Sequence, residues 1–331
     1  MTPAHLETPL NALLGLRHPV LLAPMAGVAG GALAAAVSRA GALGLIGGGY
    51  CDPEWLGAEL EMAGRADIGI GFITWRLDEI PAVLELALAA RPRAVLLSFG
   101  DITPYVAPIH AAGARVIAQV QSVAQARAAR DAGADVIVAQ GREAGGHAGE
   151  RATLALVPAV VDAVAPLPVV AAGGIADGRG LAAVLMLGAC GAMLGSRFYA
   201  CAESLAHPHA KTRAVEASGD DTVRSAAFDR LRGWHWPPGY ALRTLANETT
   251  RRYAIAPEEF DSRAARERFA AASAAGEVDH AAVIVGEAAD LISDVSPAAA
   301  VVESIVAAAA AVLDGAGRHL SAARIDAAAR E

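Results

Sequence analysis

The stretch PVVAAGGIADGRGLAAVL, residues 168–185, decides the fold. It opens on a short Val/Ala run, turns at Gly173-Gly174, and continues as an Ala/Leu-rich segment of helical length. A strand covered on both faces reads as an unbroken apolar run rather than as an alternation, which is the habit of parallel sheets. VIVAQ at 136–140 has the same character. Working outward from these two, eight such runs are found, at 19–24, 42–48, 68–74, 94–99, 115–120, 136–141, 169–174 and 191–196, with helical stretches between them. One of those stretches, SVAQARAARDA at 122–132, begins with a serine N-cap and stops before Gly133. Eight such strands alternating with helical stretches in a chain of this length predict an α/β fold, a (β/α)8 TIM barrel rather than an open sheet.

After Phe198 the chain changes character. Charges become denser (Lys211, Arg213, Asp220, Asp221, Arg224, Asp229, Arg230, Arg232), and two of the four tryptophans, Trp234 and Trp236, arrive together. This predicts a smaller, mostly helical second domain at 207–279, inserted after the eighth strand. The Ala-rich segment 298–313 then returns as the last barrel helix, so the barrel comprises 1–206 and 280–331. A plain C-terminal helical extension is the alternative.

Composition narrows the function. With 54% hydrophobic and 19% charged residues, the 331-residue chain can bury a large core and is far from the disordered class. The 27 Lys+Arg against 35 Asp+Glu give a net charge of −8, and no basic run stands out, which argues against nucleic acid. Despite a mean hydropathy of +0.38, no run of about 20 apolar residues is present. The segment 298–313 carries Glu303, and 154–175 carries Asp162 and three prolines. The N-terminus lacks the pattern of a signal peptide. Cys51, Cys190 and Cys201 form no CxxC pair and no histidine pair has metal-ligand spacing, so neither a disulfide framework nor a metal site is expected. The expectation is a reduced cytoplasmic protein with a small-molecule partner.

In such a barrel the site lies at the C-terminal ends of the strands, and phosphate commonly binds after the seventh and eighth. Those ends read Ala172-Gly173-Gly174-Ile175 and Gly195-Ser196-Arg197-Phe198. Glycine lets backbone N–H groups approach an anion, and a following helix N-terminus adds favourable partial charge. Gly173, Gly174, Gly195 and Ser196 are therefore the candidate phosphate cradle; tight βα turns are the bland alternative. The sixth strand leads into QGREAGGHAG at 140–149, where Gly141, Gly145 and Gly146 flank His147. An imidazole of ordinary pKa near 6.5 at a strand mouth suits proton abstraction, although a structural or cofactor-bonding histidine fits the same place. Ala23, Pro24 and Met25 end the first strand, where Met25 can pack on a planar ring. Thr74 ends the third beside Phe72 and Trp75, again with core filling as the alternative. Gln119 in VIAQV needs hydrogen-bond partners, which a heteroaromatic cofactor edge would supply.

APMAG (23–27), QGREAGGHAG (140–149), LVPAVVDAV (156–164), AAGGIADGRGL (171–181) and GSRF (195–198), in this order and spacing, resemble the nitronate monooxygenase family, FMN-dependent barrels once called nitropropane dioxygenases. RGWHWPPGYALRTLAN (232–247) resembles a segment of some members. The resemblance implies FMN with its phosphate on Gly173, Gly174, Gly195 and Ser196, Met25 near the flavin ring, and His147 as the base for neutral nitroalkanes. It implies O2 as co-substrate, with a carbonyl compound and nitrite as products. Two departures stand out: Gln119 lies where members often carry Lys, and Gly71-Phe72-Ile73-Thr74 replaces an Asn-containing pattern. The alternatives are an NAD(P)H-dependent flavin reductase of the same fold, acting on a quinone or an enoyl thioester, and a non-catalytic flavin- or phosphate-binding module. Against a barrel that oxidises purine nucleotides through a cysteine thioester, residues 140–153 contain no cysteine.

Overall fold

The computed structural model describes residues 6–316, so the ends of the expected barrel segments, 1–5 and 317–331, lie outside the described residues. In chain order the first nine strands are β1 (Val20–Leu22), β2 (Leu45–Gly49), β3 (Gly69–Ile73), β4 (Ala94–Ser98), β5 (Arg115–Val120), β6 (Val136–Gln140), β7 (Gly146–Ala148), β8 (Val169–Ala172) and β9 (Gly191–Leu194). All except β7 pair in parallel, in the order β1-β9-β8-β6-β5-β4-β3-β2. They fall on the eight apolar runs. The ring is closed by a single bridge between Leu21 and Leu43, just ahead of β2. There the Leu22 N–H donates to Leu43 O at 2.9 Å, and the Leu43 N–H to Val20 O at 3.0 Å. The result is a mostly parallel eight-stranded near-barrel.

Side chains alternate across this wall, as the pleat requires. Along β4, Ala94 and Leu96 join Leu45, Ile117, Val138 and Val170 inside, whereas Val95 and Leu97 face the surrounding helices. The helix Pro9–Leu14 plugs the N-terminal end, with Leu10 and Leu14 fully buried among the inward residues. Burying each contributes roughly 1.5–3 kcal/mol. Continuing the alternation to the other end, the last inward positions are Ser98, Gln119, Gln140, Ala172 and Met193. These form the floor of a cavity.

The helix Val123–Ala132 forms as its caps require, with Ser122 accepting from the Gln125 N–H at 3.2 Å. The helix Ala298–Asp314 buries Val301, Val302, Ile305, Val306 and Ala309. It packs on Gly178–Met186, which follows β8, and on Gly31–Arg39, which follows β1.

Between β9 and this helix lie the helices Pro208–Val215, Ala227–Arg232, Glu248–Ile255 and Arg263–Ala275, together with two strands, β10 (Thr222–Ser225) and β11 (Ala241–Leu245). The strands are an addition to the mostly helical expectation for this stretch. β11 pairs antiparallel with both β10 and β7, in register Gly146↔Arg243, His147↔Leu242 and Ala148↔Ala241. Among the described residues, no helix is long and apolar enough to cross a membrane.

Candidate active site

The loop after β1 lies flat across the glycine-rich strands beside it. A Cβ at Gly47 would run into the Met25 carbonyl, and one at Gly71 into the Pro24 ring. The glycines of LIGGG and GIGF thus bring Met25 to the barrel mouth. There a cavity of about 530 Å³ opens, within the range that holds a drug-sized ligand. Ala23, Pro24, Met25 and Gln119 line it, as do Gly145, Gly146 and His147 from the stretch after β6 and Gly173, Gly174, Gly195 and Ser196 after β8 and β9.

Two expected positions do not line it. Thr74 starts the helix Thr74–Leu77 with its side chain fully buried, and a Cβ on Gly100 would lie 2.7 Å from its own Cβ. Its Oγ1 is buried and makes no hydrogen bond among the described residues. Gly141 is covered by Glu143 and Thr153 and acts as a buttress: its carbonyl would sit 2.7 Å from a Cβ at Gly173.

The glycine turns fit a phosphate group. Gly173 and Gly174 have φ of 97° and 71°, a region that strains any L side chain. Among the described residues, the backbone N–H groups of Gly174 and Ser196 donate to no protein acceptor. Ser196 Oγ accepts from the Gly286 N–H at 2.8 Å, which leaves its own proton available to an anion. The helix contribution expected here goes elsewhere. Asp177 caps Gly178–Met186 by accepting from the Arg179 and Gly180 N–H groups, and the helix after Gly195 is a single turn, Ser196–Tyr199. Glu143, the one acidic residue of the lining, is turned onto the Thr153 N–H and hydroxyl at 2.9–3.0 Å.

Gln119 finds its partner within the protein. Gln140 Oε1 accepts from Gln119 Nε2 at 3.1 Å and from Gln121 Nε2 at 2.9 Å. Gln119 Oε1 and Gln140 Nε2 make no hydrogen bond among the described residues, so the cavity wall keeps one acceptor and one donor for a planar polar edge.

Several residues of the site were not singled out in the sequence. Asp229 Oδ2 lies 2.9 Å from His147 Nε2, with the two side chains 7% and 6% exposed. Burial pushes the His147 imidazole below its ordinary pKa; Asp229 opposes this and Arg232 adds to it. Trp236 stacks on the imidazole with centroids 3.4 Å apart and planes at 11°. Trp234 stacks on Tyr50 at 4.4 Å, beneath the Arg76 guanidinium. Phe99, held at φ 63° at the end of β4, meets Trp236 and Tyr240 edge-on at 4.9 and 5.0 Å. Residues 232–240 thereby form an aromatic cover seated on the barrel rim. The three cysteines are buried and unpaired, their thiols raised by burial to about 11 for Cys190 and about 12 for Cys51 and Cys201. They are inert at neutral pH. Among the described residues, no cluster of side chains could hold a metal ion.

Known proteins place this geometry in a class. FabK from Thermotoga maritima superposes with a TM-score of 0.83 at 33% identity, covering 95% of this chain and 100% of that one. Similarity to the nitronate monooxygenases makes this chain an oxidoreductase. The profile of the nitronate monooxygenase family matches residues 7–66 and 78–308, and the chain belongs to that flavin-dependent family. The nitronate monooxygenase npaC of Metarhizium robertsii is 37% identical, covering 91% of this chain and 93% of its own. Also 37% identical, over 72% of this chain and 67% of the relative, is a (3aS,4S,5R,7aS)-5-hydroxy-7a-methyl-1-oxo-octahydro-1H-indene-4-carboxyl-CoA dehydrogenase of Mycobacterium tuberculosis.

Proposed function

We propose that this protein oxidises alkyl nitronates with O2, using FMN, to a carbonyl compound and nitrite, and that His147 admits neutral nitroalkanes by removing their α-proton. The observation that carries the reading is His147 itself, a buried imidazole on the wall of a cavity lined mainly by apolar and aromatic groups. Burial favours its neutral form, which is the form that accepts a proton. The cation so formed lies against Asp229 and beside the anion it has generated, in a space where Trp234, Trp236 and Phe99 exclude water and so strengthen both attractions.

FMN, when bound, supplies the electron transfer and the reaction with O2. Gly173, Gly174, Gly195 and Ser196 would hold its phosphate, Met25 would lie by its ring, and Gln119 with Gln140 would meet its polar edge. In this reading residues 207–279 are a separate unit inserted into a barrel of 1–206 and 280–331, and the protein works in the cytoplasm, where its thiols stay unpaired.

The likeness to FabK favours a second reading, an NAD(P)H-dependent reductase of a quinone or an enoyl thioester. The purified protein loaded with FMN separates the two. Oxygen consumption with nitrite release on propionate 3-nitronate is the expected result. Anaerobic bleaching of the flavin by micromolar NADH or NADPH, with no turnover of nitronate or nitroalkane, would overturn it in favour of the reductase. His147→Ala should cost nitroalkane turnover roughly 100- to 10,000-fold, and much less with preformed nitronate, which needs no deprotonation.

A further inference from the structure

We propose that Asp229 is the positioning residue of His147: it holds the imidazole in the Nε2–H tautomer, so that the Nδ1 lone pair is the one offered to a substrate's proton. The inference rests on the reading of His147 as a base, but it is a statement about the ring that can be tested without any reaction.

A carboxylate only accepts hydrogen bonds, so a neutral imidazole 2.9 Å from Asp229 Oδ2 must donate from Nε2. Its remaining lone pair then sits on Nδ1. That atom makes no hydrogen bond among the described residues, and His147 lines the cavity. The orientation of the ring is fixed twice over. Trp236 lies parallel on it at 3.4 Å, and its backbone is paired with Leu242 of β11. The tautomer is the one remaining freedom, and Asp229 removes it.

The surroundings of Asp229 argue against a purely structural carboxylate. Its Oδ1 is buried without a hydrogen-bond partner, so the bond to His147 is its one side-chain anchor among the described residues. Taking a carboxylate out of water for a single neutral partner is unfavourable, and a pair of this kind is weak support for a fold. It does what a base requires, fixing which nitrogen is protonated and stabilising the cation once the proton has been taken. Arg232, from the same helix as Asp229, is the other charged group acting on the ring and works in the opposite sense. The Tyr50 phenol nearby is raised by burial and stays neutral. Arg243 on β11 is engaged by Glu287 and the Arg142 carbonyl. Phe99 and Trp236 carry no charge.

The test is the tautomer itself, read from long-range 1H–15N spectra of the uniformly 15N-labelled, full-length protein with its flavin bound. The His147 signals are assigned by their loss in His147→Gln. At pH 7.5 the wild type should show a protonated Nε2 and a bare Nδ1. In Asp229→Asn the amide can donate to Nε2, so the proton should move to Nδ1. The kcat/KM of that variant should fall at least 100-fold more on a neutral nitroalkane than on the corresponding nitronate, whereas Asp229→Glu should keep the wild-type tautomer. A wild-type ring protonated at Nδ1, or an Asp229→Asn variant with the tautomer unchanged, would overturn the proposal. The wild-type spectrum needs no variant, so a failure of Asp229→Asn to fold leaves the test intact. If no nitro compound is turned over at all, the reading of the reaction fails while the tautomer is still measured.

Discussion

At the scale of a single residue, the proposed base His147 is buried, and its burial sets a pH dependence with a definite sign. Unfolded, the ring titrates near 6.5; folded, it titrates lower because burial disfavours the cation. Between those values the unfolded chain binds a proton that the native state does not. His147 therefore contributes full stability above the unfolded value and loses it as pH falls toward the folded one. Urea unfolding of the wild type and of His147→Gln at pH 5, 6, 7 and 8 should show an acid-side decline that is shallower in the variant. In the same window, kcat/KM for a neutral nitroalkane should rise with pH through an apparent pKa below 6.5 and then level off. The glycine-flanked position of His147 was legible in the sequence because an imidazole set among glycines stands out against the apolar run that precedes it. Its partner was not, since 82 residues separate Asp229 from it and neither residue carries a local signal of the other. Gln140 was within reach of the sequence: the two-residue pleat that turns Val136 and Val138 inward carries on to it. Thr74 and Gly141 lie at strand ends but outside the cavity lining, because position at a strand end does not fix the direction a side chain or turn faces.

Elements tell a similar story. The eight barrel strands could be read because a strand buried on both faces is an unbroken apolar run, as in VVAA and the AVLL of β4. β7, β10 and β11 could not. GHA and TVRS are short, and TVRS is half-buried throughout with no alternation to betray it. Their pairing joins stretches far apart in sequence, which no local propensity records. The last helix supplies a test at this scale. Ile305 is 4% exposed against the helices after β8 and β1, so Ile305→Ala should cost about 2–5 kcal/mol in urea unfolding. A loss below about 0.5 kcal/mol, the range of a surface change, would mean that 298–314 is a loose extension rather than part of the barrel wall.

Over the whole molecule, the small sheet and the aromatic cover fasten residues 222–245 to the barrel rim. Trp75, Trp234 and Trp236, three of the four tryptophans, meet there. Their fluorescence reports the cover, while far-UV circular dichroism reports mainly the barrel. The two signals should lose structure at the same denaturant concentration, as one cooperative unit. Free FMN at 100 times its Kd should add about 2.7 kcal/mol of stability and move both midpoints upward together. A fluorescence change well ahead of the dichroism change would show that the cover detaches on its own.

The pairing of β7 with β11 has a consequence for how such enzymes diverge. The His147 ring is carried on a ribbon that the barrel begins and a distant segment completes, so a change in that segment shifts the ring as well as the entrance above it. Substrate choice and reactivity are then inherited together. Exchanging residues 222–245 between cousins of this protein would transplant a temperament along with a doorway.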